Sequence, residues 1–158
     1  MQITPAFFEK LLPLACVWAE EQEQIILRDG VALSQTQLSD AYKLKVVHPE
    51  KVRLLKVNQI PIPQQPELRT AAEATNLISQ NTVGLTLRYG IFIRADYWNS
   101  RPLVAHELVH TSQYEKLGGF SQFLQKYLYE CLTIGYPKAP MEQEAINSSA
   151  LLRGSQSN

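Results

Sequence analysis

Residues 83 to 117 constrain the fold more tightly than any other stretch, because two different hydrophobic periods follow each other there. Leu85, Leu87, Tyr89, Ile91 and Ile93 alternate with Thr86, Arg88, Gly90, Phe92 and Arg94, the period of two that belongs to β structure. The alternation suits one strand bulged at Gly90 or two short strands turning at Arg88-Tyr89-Gly90, and the hairpin is the better fit. A helix follows. Ser100 or Asn99 can cap its start, Pro102 suits its first turn and Gly118-Gly119 stops it. This succession predicts an α+β fold, mostly helical, with a small sheet preceding that helix.

The helix carries His106-Glu107-Leu108-Val109-His110. Positions i and i+4 are neighbours on one face, so two imidazoles there can grip one tetrahedral zinc ion. Glu107 sits one position round, near enough to reach a water on the metal without being a ligand. Val104 and Leu108 fall on the other side. The helix is therefore expected to be anchored in a core on one side and open to a cleft on the other. Histidines that serve only packing are the competing explanation, and the helical context of the motif weighs against it.

A catalytic zinc takes three protein ligands and a water. His48 is the only other histidine, and it precedes a proline in an upstream loop. Glu142 and Glu144 are better candidates. The apolar side of their helix is set by Met141, Ala145, Ile146, Ser149 and Leu152. At about 100° per residue, Glu142 lies roughly 50° from the centre of that side and Glu144 roughly 110°. A buried carboxylate is costly unless paired or metal-bound, so inward-pointing Glu142 is preferred, with Glu144 the alternative. Surface glutamates near a helix N-terminus are the plainer explanation for both.

With these residues in view the chain resembles the gluzincin group of zincin metallopeptidases, which carry His-Glu-x-x-His on one helix and a glutamate ligand on a later one. Gly84-Leu85-Thr86-Leu87, Ile91-Phe92-Ile93, Leu103-Val104-Ala105 and Thr111-Ser112-Gln113-Tyr114 look like small zincin-like domains found in bacteria. Glu142 matches the glutamate of a Glu-x-x-Ala segment in membrane-bound relatives. The resemblance implies a zincin-like domain holding one Zn2+ on His106, His110 and Glu142. It implies Glu107 as general base, a peptide or protein substrate, and substrate alignment along the 83–94 segment. Tyr136 is the preferred oxyanion donor, ahead of Tyr114 and Tyr129. Arg88 or Arg94 could reach an acidic group, although a solvated sheet face explains both. Gln113, one turn beyond His110, could hold a ligand or substrate.

Many gluzincins carry an aspartate four residues after the ligand glutamate, and here that position is Ile146. Asp96, Asn147 or a backbone carbonyl would have to orient the histidine instead. This departure sustains an alternative reading, a zinc-stabilised binding or regulatory domain without turnover. A helical interaction module with no metal is the third.

The formal net charge is zero with charges interspersed, which argues against nucleic acid or an anionic membrane as partner. Cys16 and Cys131 match no metal or redox spacing and are expected as buried core thiols. Leu11 to Ala19 is apolar but too short to span a bilayer, so a cytoplasmic protein is expected. Residues 1–152 are expected to form one domain, with an N-terminal part to residue 80, a metal-site part from 81, and a frayed tail over 153–158. The remaining elements expected are helices over 5–28 (inward stripe Phe7, Leu11, Leu14, Ala15, Trp18, Gln22, Ile25), 34–46, 66–78, 120–133 and 140–152, a strand over 52–57, and a Pro/Gln-rich loop over 58–66. Oligomeric state is left open.

Overall fold

The computed structural model describes residues 4–136 and 138–154, with the side chains of 153 and 154 excepted. Among them the chain runs α1 (Pro5–Asp29), β1 (Val31–Ala32), α2 (Gln35–Lys43), β2 (Arg53–Val57), α3 (Pro66–Thr75), β3 (Gly84–Leu87), β4 (Gly90–Arg94), α4 (Arg101–Leu117), α5 (Phe120–Thr133) and α6 (Pro140–Gly154). This is an α+β fold, mostly helical, around a mixed sheet of order β1-β2-β4-β3. β2 lies parallel to β4, while β1 and β3 pair antiparallel with β2 and β4. The N-terminal and metal-site parts thus share one sheet.

The helix ends follow local chemistry. Ser34 and Gln37 form the reciprocal capping box at α2. Ser100 caps α4 by accepting from Leu103 N, and Gly118 closes it at φ 102. The hairpin between β3 and β4 turns over Arg88-Tyr89, and Arg88 takes a positive φ of 62°. That unfavourable backbone is held from outside. Fully buried Glu23 on α1 accepts from Arg88 Nη2 at 2.7 Å, Arg88 Nε at 2.9 Å and Tyr89 N at 3.1 Å.

The two-residue turn decides which way β3 faces. Thr86 pairs with Ile91, and Leu85 with Phe92. Thr86, Ile91 and Ile93 therefore face α4, whereas Leu85, Leu87 and Phe92 face α1 and α5. A single unbroken strand would have put Leu85 and Leu87 on the Ile91 side. The core is accordingly split. Val104, Leu108 and Val109 of α4 pack on one sheet face with α2, and Ala19, Ile26 and Phe123 cover the other.

Several expectations change. The inward stripe of α1 ends on Ala19, Glu23 and Ile26, while Ile25 is exposed. Arg88 draws Glu23 inward, and Ile26 fills the space beside Gly90. Helix α2 stops at Lys43, with Lys45 at φ 71. α3 stops at Thr75, with Asn76 in the left-handed region. β1 carried no periodic signal at two residues. Ile146 is exposed rather than on the buried side of α6. The α6 backbone is helical to Gly154, so the expected frayed tail does not start at 153, and residues 155–158 lie outside the described residues. Cys131 is buried and Cys16 half-buried, both as free thiols.

No helix among the described residues is long and apolar enough to cross a membrane.

Candidate metal centre

Helices α4 and α6 bring His106, His110 and Glu142 together. One ligand atom from each lies within 4.8 Å of the others. Glu142 is 2 % exposed and bridges the imidazoles. Its Oε1 lies 3.1 Å from His106 Nε2 and its Oε2 lies 2.7 Å from His110 Nε2. Ligand atoms about 3.3 Å apart would surround a tetrahedral zinc with bonds near 2.0 Å. The two imidazoles and the carboxylate could close to that spacing around an ion, and the donor set is one zinc accepts.

The position of Glu142 is set by its helix start. Buried Glu130 of α5 accepts from Met141 N at 2.9 Å, tying the first turn of α6 to α5. Met141 and Ala145 pack inward and carry Glu142 with them. Tyr127, one turn after Phe123 on α5, donates to Glu142 Oε2 at 2.8 Å. Glu144 points elsewhere and accepts from Gln113 Nε2 at 3.1 Å.

Burial disfavours charge on Glu142, but the hydrogen bonds and charges of His106 and His110 outweigh it and hold the carboxyl well below the usual range. Burial likewise opposes protonation of His110. The hydrogen bond to Glu142 and the charges of Glu107 and Glu142 overcome it and raise the imidazole to about 9. A buried carboxylate and a buried imidazole shifted in these directions mark a place that favours positive charge.

Gln113 orients His110. Its Oε1 lies 2.8 Å from His110 Nδ1, and its Nε2 donates to Met141 O at 3.0 Å as well as to Glu144. With the amide nitrogen committed to two acceptors, Oε1 must accept from Nδ1–H, which leaves Nε2 facing Glu142. Asp96 and Asn147 do not take this role. Asp96 is exposed and bound to Arg94, and Asn147 is exposed.

Glu107 is buried next to the cluster. Thr86 Oγ1 lies 2.9 Å from Glu107 Oε1 and 3.0 Å from Glu107 O. Gly84 passes so close that an added Cβ would stand 3.1 Å from Glu107 Cγ and 3.2 Å from Oε2. The edge strand thus fixes both the rotamer and the position of this carboxylate. Tyr136 is partly exposed, lines the same cleft as His106 and Glu107, and burial raises its phenol pKa.

The side of α4 bearing the histidines is more enclosed than expected. His110 and Glu107 are 5 % and 6 % exposed, because α5 and α6 cover His110 and β3 covers Glu107, and His106 is the more open imidazole. Other candidates lie away. His48 pairs with Glu50 on the surface. Tyr114 is buried with its hydroxyl on Thr86 O, and Tyr129 is exposed beside Phe8. Arg88 and Arg94 are engaged by Glu23 and Asp96. Thr86, Gly84 and Tyr127 escaped the sequence reasoning. Only the i, i+4 spacing of Phe123 and Tyr127, which stack at 5.3 Å, hinted that Tyr127 faces inward.

No protein-family model matches this chain, and no characterised protein or solved structure matches it either.

Proposed function

We propose that this protein is a zinc-dependent peptidase of the gluzincin type, acting on peptide or protein substrates. The observation that carries the reading is the convergence of His106, His110 and Glu142 beside a carboxylate, Glu107, that Thr86 and Gly84 hold in place. A zinc ion on those three residues would supply the Lewis acidity that activates a water and stabilises an oxyanion.

Glu107 takes the proton from the attacking water and returns it to the leaving amine. The Thr86 hydroxyl restricts the carboxylate to one orientation, so little motion precedes proton transfer. Tyr136, kept protonated at neutral pH, donates to the developing oxyanion. Tyr127 and Gln113 hold Glu142 and His110 in ligand geometry. Among the described residues β3 has a strand neighbour on only one side, so its outer edge can align an extended peptide. The reading includes a cytoplasmic location, supported by the free thiols of Cys16 and Cys131.

A second reading, a zinc-stabilised domain without turnover, is favoured by the near-complete burial of His110 and Glu142, since closed zinc sites are structural. One experiment separates the two. Zinc content and hydrolysis of a quenched peptide library are measured for the wild type, Glu107→Gln and Tyr136→Phe. The peptidase reading expects about one zinc per chain in all three and cleavage only where Glu107 is intact, weakened in Tyr136→Phe. Bound zinc with no cleavage by the wild type would support the second reading, and equal cleavage by Glu107→Gln would remove Glu107 as the base.

A further inference from the structure

The wall of the candidate site that holds Glu107 and His110 also belongs to an apolar cavity of about 150 Å³. Nothing in the motif accounts for it. Its floor comes from the N-terminal part of the chain. Ala15 and Trp18 of α1 and Leu68 and Ala72 of α3 face Phe123 and Leu128 of α5. Small residues on α1 and α3 leave the space open where larger ones would close it.

A second, wider and more polar cleft of about 490 Å³ lies on the His106 side, lined by Ser79, Asn81 and Ser149. The two spaces adjoin. Leu77, Thr82, Gly84, Glu107 and Tyr136 line both. A peptide whose main chain occupies the polar cleft can therefore turn one side chain past Gly84 and Glu107 into the apolar cavity.

We propose that this cavity is a specificity subsite taking one benzyl-sized apolar side chain of the substrate beside the reacting bond, with its depth set by Ala15 and Ala72. The inference rests on the peptidase reading and adds the substrate class to it. Size and chemistry select the occupant. An apolar cavity of roughly 150 Å³ stays dry and accepts a single benzene ring. A charged side chain reaching the far end, among Ala15, Trp18, Leu68, Ala72, Phe123 and Leu128, would lose its water with no partner there. A methyl group would leave most of the space empty. The expected discrimination between phenylalanine and alanine at this position is at least about tenfold in kcat/KM.

The test has two arms. In the first, toluene is added to the purified protein and Tm is measured for wild type, Ala72→Leu and Ala15→Leu, two fillings on separate helices. Stabilisation of the wild type that is lost or reduced in a folded filling variant is expected. In the second, zinc-loaded protein is given a peptide series carrying Phe, Ala or Asp next to the cleaved bond. A Phe-over-Ala ratio of about tenfold or more is expected, falling in either filling variant that folds. No toluene effect on the wild type, or cleavage without the Phe preference, overturns the subsite while leaving the peptidase reading standing. Toluene stabilisation with no cleavage of any peptide overturns the peptidase reading and the substrate assignment together, leaving only an apolar cavity.

Discussion

Gly84 lies against Glu107: a Cβ at Gly84 would stand 3.1 Å from Glu107 Cγ and 3.2 Å from its Cδ and Oε2. The obstacle is the working carboxylate of the proposed mechanism, already fixed by Thr86. Gly84→Ala is expected to push Glu107 by a few tenths of an ångström and lower kcat by roughly tenfold or more. Zinc content should be unchanged, because none of the three ligands is touched. Steady-state kinetics with parallel metal analysis checks this, and full activity in Gly84→Ala would show that Glu107 has room to spare.

Gln113 of α4 supplies, beside His110, the acceptor expected from Asp96, Asn147 or a backbone carbonyl. Its amide oxygen meets His110 Nδ1 at 2.8 Å. Gln113→Leu removes that acceptor and is expected to weaken zinc binding by about 10–100-fold. Competition against a fluorescent chelator measures it. Glu144→Ala loses only an outer contact of Gln113 and should change affinity far less, whereas Glu142→Ala should abolish tight binding.

Glu23 is completely buried and bound to Arg88 and Tyr89 N at the hairpin turn. Glu23→Ala leaves Arg88 without its partner and the strained turn without its clamp. A loss of about 3 kcal/mol is expected, read from urea unfolding. Glu23→Gln keeps one acceptor oxygen and should lose less. Because the turn sets the facing of Thr86, Glu23→Ala should also lower kcat at a distance from the metal.

Cys131 supplies a pH dependence. Burial, with the nearby Glu142 charge, pushes its thiol from 9.0 to about 12. The folded state holds this proton more tightly than the unfolded chain does. Stability is therefore unaffected by this group below pH 9 and falls as pH rises from about 9 to 12, at up to about 1.4 kcal/mol per unit for full effect. Cys131→Ala should flatten that decline in alkaline unfolding curves, and an unchanged slope would assign the alkaline sensitivity to the buried tyrosines alone.

Much of the fold was legible because its signals are local. The Ser34–Gln37 capping box, the Ser100 and Gly118 ends of α4 and the hairpin at Arg88-Tyr89 each depend on residues within a few positions. The choice of Glu142 over Glu144 followed from helical phase alone, and the structure brings Glu142 to the two histidines. Phase failed in α1, where Glu23 and Ile26 are buried instead of Gln22 and Ile25. A charged residue on the inward side carries no periodic signal, and its partner, Arg88, lies 65 residues away.

The sequence by itself determined the motif helix, its caps, and the side of α6 on which a ligand could stand, since these follow from backbone hydrogen bonding and the 3.6-residue repeat. Only the tertiary structure decided that β2 pairs in parallel with β4 and that the hairpin turns Thr86 toward Glu107. It alone decided that Tyr127 and Gln113 hold Glu142 and His110, and that α1 and α3 leave an apolar cavity beside them. Those features come from side chains distant in sequence meeting across packed elements, where burial rather than local propensity selects the partner.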